Sequence, residues 1–142
     1  KNISTNESSK ENNENPKNEV SVGSYKINLN ERLGGGSFGE IFLGYHSKTL
    51  ESVAIKIESV NALIPQLAHE SKTLKYLQED KSGNMILGFP KLHYYTNIGN
   101  YNFLVMEELG FSLEKILSQT KEKRFSLKTV LMLAEQLIAR IE

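Results

Sequence analysis

Four glycines within six residues, Gly34-Gly35-Gly36-Ser37-Phe38-Gly39, restrict the possible folds of this chain more than any other feature. The run fits the spacing G-x-G-x-x-G, in which missing Cβ atoms let backbone amides approach a bound phosphate. A dinucleotide-binding version of that loop opens a helix after its last glycine. Here Glu40-Ile41-Phe42-Leu43 follows and reads as a strand, with Ile41, Leu43 and Tyr45 at every second position. A Walker-type loop needs Gly-Lys followed by Ser or Thr, and that triplet is absent. What is left is a glycine hairpin between two strands.

The flanking sequence agrees. Tyr25, Ile27 and Leu29 alternate with Lys26, Asn28 and Asn30 in a strand that runs to Leu33. Alternation resumes after Gly39 through Ile41, Leu43 and Tyr45, and a polar break at residues 47–51 precedes Ser52-Val53-Ala54-Ile55-Lys56-Ile57. These make three consecutive antiparallel strands. A helix is expected over residues 65–78, with Pro65 at its start and Leu67, Leu74 and Leu77 on one stripe. A loop at residues 80–84 leads to a hairpin, Leu92 to Tyr95 and Tyr101 to Met106, which brings the sheet to five strands. Gly110 breaks the chain. Ser112 is placed to cap a short helix, and Ser126 a longer one with Val130, Leu133, Ala134, Leu137 and Ile141 on one face.

Alternation turns Val53, Ile55 and Ile57 to one side of their strand and Ala54 and Lys56 to the other, beneath the glycines. A lysine on a strand face is ordinarily a solvated one. Glu70 changes that reading, because it falls on the apolar stripe of its helix and needs a cation there. Lys56 is the expected partner, with a local pair to Lys72 as the alternative. Ala54 leaves room for a flat ring beside the ammonium.

Val53-Ala54-Ile55-Lys56, one hairpin after the glycine loop and with Ile41 at the position that follows it, resembles the protein kinases. Longer runs narrow the resemblance to the casein kinase I family. They are Pro65-Gln66-Leu67 leading to Glu70-Ser71-Lys72, Tyr101-Asn102-Phe103-Leu104-Val105-Met106-Glu107, Leu109-Gly110-Phe111-Ser112-Leu113-Glu114, and Lys128-Thr129-Val130-Leu131-Met132-Leu133-Ala134. The resemblance covers residues 23–142. It implies an α+β fold: a kinase-like N-lobe with a five-stranded antiparallel sheet and one main helix, then the first helices of a truncated helical C-lobe.

The same resemblance implies ATP as the ligand and the Ser or Thr of proteins as substrate. Lys56 would contact the α- and β-phosphates, oriented by Glu70. Residues Gly34, Gly35, Gly36, Ser37, Phe38 and Gly39 would cover the phosphates. Leu33, Ile41 and Ala54 would roof the purine, Met106 would be the gatekeeper, and the Glu107 carbonyl and Leu109 amide would bind adenine. Three features depart from the family pattern: Glu108 stands where an apolar hinge residue is usual, Phe111 where proline is usual, and residues 79–89 form a long link.

Kinase chemistry also needs an Asp that accepts the substrate proton, and an Asn and a second Asp that hold Mg2+. The 142 residues contain a single Asp, Asp80, and neither H-R-D-x-x-x-x-N nor D-F-G. The expectation is therefore a kinase fragment, cut at both ends and inactive alone, whose metal ligands lie in a missing C-terminal part. That part would also cover the apolar face of the last helix. The alternative is a pseudokinase-like nucleotide-binding or scaffold module. No metal site is expected within the chain: cysteine is absent, and His46, His69 and His93 are scattered over separate elements.

Composition sets the remaining bounds. The hydrophobic share of 39% is below the globular norm of about 45–50%, and residues 1–23, rich in Asn, Ser, Glu and Lys, read as a disordered tail. Residues 24–110 would form the N-lobe and hinge, and residues 111–142 the start of the C-lobe. Seventeen Lys plus Arg balance seventeen Asp plus Glu, so no global charge draws the chain to nucleic acid or to a membrane surface. No apolar run reaches the roughly 18 residues that span a bilayer. Cytoplasm or nucleus is the expected compartment; oligomeric state is not legible in the sequence.

Overall fold

A computed structural model describes residues 19–36, 39–79 and 82–141. Strands β1 (Glu19–Val22), β2 (Tyr25–Gly36), β3 (Gly39–His46) and β4 (Ser52–Ser59) follow one another. Helix α1 (Leu67–Gln78) then leads to β5 (Leu92–Ile98) and β6 (Tyr101–Glu107), and α2 (Leu113–Gln119) and α3 (Leu127–Ile141) complete the order. The fold is α+β. Among the described residues the strands form one sheet, antiparallel throughout, in the order β1-β2-β3-β4-β6-β5.

The sheet has six strands where five were expected, and the extra one corrects the boundary of the polar tail. Glu19–Val22 pairs with β2, Val22 opposite Tyr25 and Val20 opposite Ile27, across a tight turn in which Gly23 takes a φ of +59. Val22 is thereby fully buried, and Tyr45 and Lys26 both donate to the Glu19 carboxylate. Two apolar residues are enough to hold a strand once a neighbouring ladder takes up the backbone donors. The rest of the expected tail, residues 1–18, lies outside the described residues.

The apolar core sits on one face of the sheet. Val22, Ile27, Phe42, Val53, Ile55, Phe103 and Val105 pack together, with Tyr25 and Ile57 against them. Burial of each such aliphatic side chain is worth about 1.5–3 kcal/mol. Gly44 allows this packing, because a Cβ there would meet the Ile55 side chain and the Lys26 carbonyl. On the opposite face α1 lies against β5 and β6, with Leu67 fully buried.

Two boundaries differ from expectation. The helix starts at Leu67 and not at Pro65, because the Glu58 carboxylate accepts the N–H groups of Gln66 (2.7 Å) and Leu67 (3.0 Å) and so sets the first turn. Strand β2 continues past Leu33 through the glycines, with Gly34 opposite Ile41, Gly35 opposite Glu40 and Gly36 opposite Gly39. Ladder pairing, which a glycine satisfies as well as any residue, carries the strand further than side-chain alternation does.

The hairpin of β5 and β6 turns at Gly99 and Asn100. The link after α1 folds back, with Glu79 bridged to Met85 and the Ile86 N–H donating to the Gln78 carbonyl. Both predicted caps form: Ser112 Oγ accepts the Lys115 N–H and Ser126 Oγ the Thr129 N–H. On α3, Leu133 and Ala134 are half-buried, whereas Val130, Leu137 and Ile141 are exposed. No helix among the described residues is long and apolar enough to cross a membrane.

Candidate functional site

Strand β4 carries the site on the face turned away from the core. Val53 and Ile55 are fully buried on the core side, while Ala54, Lys56 and Glu58 alternate to the other. The Lys56 ammonium meets the Glu70 carboxylate at 2.6 Å, Nζ to Oε2, so the cross-element pair forms and the local alternative with Lys72 does not. The lysine side chain keeps 15% of its exposure and the glutamate 35%, which leaves an approach to the ammonium from solvent.

On the same face of β4, at Ala54 two residues before Lys56, opens a cavity of about 690 Å3, within the roughly 300–1,000 Å3 typical of small-molecule sites; Lys56, Glu70 and the loop glycines are not part of its lining. Leu33, Ile41, Ala54, Met106, Glu107 and Leu109 line it, which brings together all the residues expected around a purine. Ala54 lies opposite Met106 in the ladder between β4 and β6, so the small residue and the large one line the cavity side by side. The ladder ends at Val53 opposite Glu107, and the backbone leaves the sheet from Glu108 onward. Peptide groups beyond that point are outside the ladder and can serve a ligand.

Leu33 reaches the cavity only because β2 is irregular. Ile27 and Leu33 are an even number of residues apart, and uninterrupted alternation would keep both on the core face. Register shifts on either side of Arg32 break the alternation. Asn28 stabilises the first by accepting the Asn30 N–H (3.0 Å) and donating to Glu31 (2.9 Å). Leu33 then joins Ile41 and Ala54 in the lining of the cavity.

The glycines divide into two kinds. Gly39 has a φ of +112, and a Cβ there would collide with the Ile57 carbonyl, so the fold itself requires this glycine. Gly34 and Gly36 have ordinary φ values, and among the described residues a Cβ on either would meet nothing within 4 Å. Gly35 is screened by the mobile end of the Arg32 side chain, which pairs with Glu40 at 3.3 Å. In the row across the sheet Gly34 faces Ile41, and Ile41 faces Lys56. Two strand spacings, about 10 Å, therefore separate the glycine strand from the lysine. The expected phosphate-loop residues Ser37 and Phe38 lie outside the described residues.

Sequence reasoning missed other members of the site. Ser112 and Lys115 line the cavity from the chain after β6, as does Phe111, which had stood out only as a departure from a family pattern; Glu108 and Gly110, within the expected hinge from Glu107 to Gly110, line it too. Lys115 places a second cation at the rim. Glu58 and Asn102 are buried polar residues opposite each other in the ladder, 3% and 8% exposed. The signal for Glu58 was available, since it continues the alternation of Ala54 and Lys56.

A larger cavity, about 850 Å3, lies between α1 and the end of α3. None of the expected site residues lines it, and Tyr76 and Ile141 at its edge are 80% and 86% exposed. Among the described residues no group of three or more His, Cys, Asp or Glu is placed to hold a metal ion. His46 and His93 pack against the Tyr25 ring, and burial, followed by the charge of Lys91, holds His93 below the usual histidine range. No protein-family model matches the chain.

Proposed function

We propose that the chain is the ATP-binding portion of a casein kinase I-like serine/threonine protein kinase. In this reading residues 24–110 are the N-lobe and hinge and residues 111–142 begin the C-lobe. The single observation that carries it is the 2.6 Å Lys56–Glu70 pair on the strand face where Ala54, two residues earlier, lines a cavity with Leu33, Ile41, Met106, Glu107 and Leu109. Adenine enters beneath the roof of Leu33, Ile41 and Ala54, and its polar edge meets the backbone at Glu107 and Leu109. The Lys56 ammonium, oriented by Glu70, supports the α- and β-phosphates. Gly34 and Gly36 leave space above them.

Transfer of the γ-phosphate to a protein hydroxyl needs further parts. Mg2+ supplies charge neutralisation when bound, yet its usual Asn and Asp ligands and the proton-accepting Asp have no counterpart in the sequence. The single Asp, Asp80, falls outside the described residues. This favours binding without transfer by these 142 residues, and it is the observation that keeps a nucleotide-binding scaffold as the second reading.

Titration calorimetry with ATP and with adenosine tests the assignment. Lys56→Met should weaken ATP about tenfold or more and leave adenosine nearly unchanged, since the hinge contacts do not involve that side chain. Equal loss of both ligands would count against it. A phosphotransfer assay on the same chain separates the two readings, because Lys56-dependent transfer would overturn the claim of inactivity.

A further inference from the structure

We propose that Glu58 is a positioning residue for the Lys56–Glu70 pair, acting through the N-terminus of α1. The inference rests on the nucleotide-site reading above, which does not itself involve Glu58. Helix α1 has no side-chain cap of its own: Gln66 occupies the N-cap position and makes no capping bond. The role passes to β4, whose Glu58 accepts the Gln66 N–H at 2.7 Å and the Leu67 N–H at 3.0 Å. A carboxylate suits that place, because unpaired N–H groups and the helix dipole both favour negative charge there.

Glu58 is 3% exposed, so its oxygens depend on these donors for hydrogen bonds. Asn102 Nδ2, from the residue opposite on β6, approaches at 3.5 Å, and Asn102 Oδ1 in turn accepts from Asn97 and Tyr95. The carboxylate is thus held from the sheet side as well as from the helix side.

The consequence is geometric. Residues 56 and 58 lie on one face of β4, about 6.6 Å apart along the strand. Leu67 and Glu70 lie in the first turn of α1, about 4.5 Å apart along the helix axis. The helix is attached to one strand at two neighbouring points, Glu58 to its first amides and Lys56 to Glu70. Two attachments prevent α1 from turning about its axis, and a turn of that kind is what would carry Glu70 away from the ammonium. With the Glu58 attachment gone, the Lys56–Glu70 pair is the polar attachment left between β4 and α1 among the described residues, beside the apolar packing of Leu67.

The test uses Glu58→Gln in the full 142-residue chain. ATP affinity should fall about fivefold to tenfold while adenosine affinity stays within twofold, and adding Glu58→Gln to Lys56→Met should cost ATP nothing more, since both act through one ammonium. Parallel loss of ATP and adenosine, unchanged ATP affinity, or losses that add in the double variant would overturn the proposal. If the wild-type chain binds neither ligand, the nucleotide-site reading fails. The positioning role is then decided by a crystal structure of Glu58→Gln, in which Lys56 Nζ and Glu70 Oε2 should separate beyond about 4 Å; an intact pair would overturn it. If Glu58→Gln does not fold, Glu58→Asp keeps the charge with a shorter reach. It should show the same selective loss of ATP to a smaller degree, and absence of that selectivity would overturn the proposal.

Discussion

The two faces of β4 obey different rules. On one, Val53 and Ile55 are fully buried among apolar neighbours, and each side chain is accounted for by the core it fills. On the other, Ala54 borders an open cavity, Lys56 reaches a glutamate on a helix, and Glu58 caps that helix. The first face explains why the chain folds. The second holds an arrangement that folding alone does not require, and residues of that kind point to a ligand.

Substitutions that damage folding and binding separately should sharpen this contrast. The largest effect is expected from Ile55→Ala, which removes a fully buried side chain and should cost about 2–5 kcal/mol in denaturant unfolding. Next comes Gly39→Val, at about 1–3 kcal/mol, since it forces a β-branched residue to a positive φ against the Ile57 carbonyl. Lys56→Met should change unfolding free energy by less than about 1 kcal/mol, because Glu70 retains access to water. A loss as large as that of Ile55→Ala would abolish the distinction between the faces.

Gly36→Ala should leave stability unchanged or slightly raised, through a less flexible unfolded chain, while ATP binding weakens. Comparing it with Gly39→Val separates the glycine assigned to the proposed nucleotide from the glycine the fold needs.

The smallest effect concerns acid. Hydrogen bonding from Tyr45, then from Lys26, holds the Glu19 carboxyl below its usual range. Folding with β1 docked therefore gains from the ionised form at any pH above the ordinary carboxylate value, and the gain disappears as pH falls through the lowered one. Amide exchange of Val20 and Val22 should accelerate over that interval, and Glu19→Gln should remove the dependence.

Much of the site was legible in the sequence for a specific reason. Period-two alternation assigned Ile55 and Lys56 to opposite faces, and a carboxylate on an apolar helical stripe demanded a cation, which located Lys56 against Glu70 without coordinates. What alternation could not supply was the consequence of register. Leu33 changes face through shifts beside Arg32, and a one-dimensional pattern does not contain them. Strand β1 was missed because its surroundings are polar, although Val20 and Val22 before the Gly23-Ser24 turn carry a hairpin signal. Glu58 was unassigned since its partners are backbone amides, whose positions depend on how α1 crosses the sheet.

The lining of the smaller cavity is split between the sheet and the segment that departs from it. Leu33, Ile41 and Ala54 belong to strands locked in ladders, whereas Glu108, Ser112 and Lys115 follow the last paired residue. Gly110, between them, has open space where a side chain would project. Any swing of the later segment about this joint widens or narrows the gap, so a guest touching both walls acts as a wedge and sets the angle at which the two parts of the molecule meet.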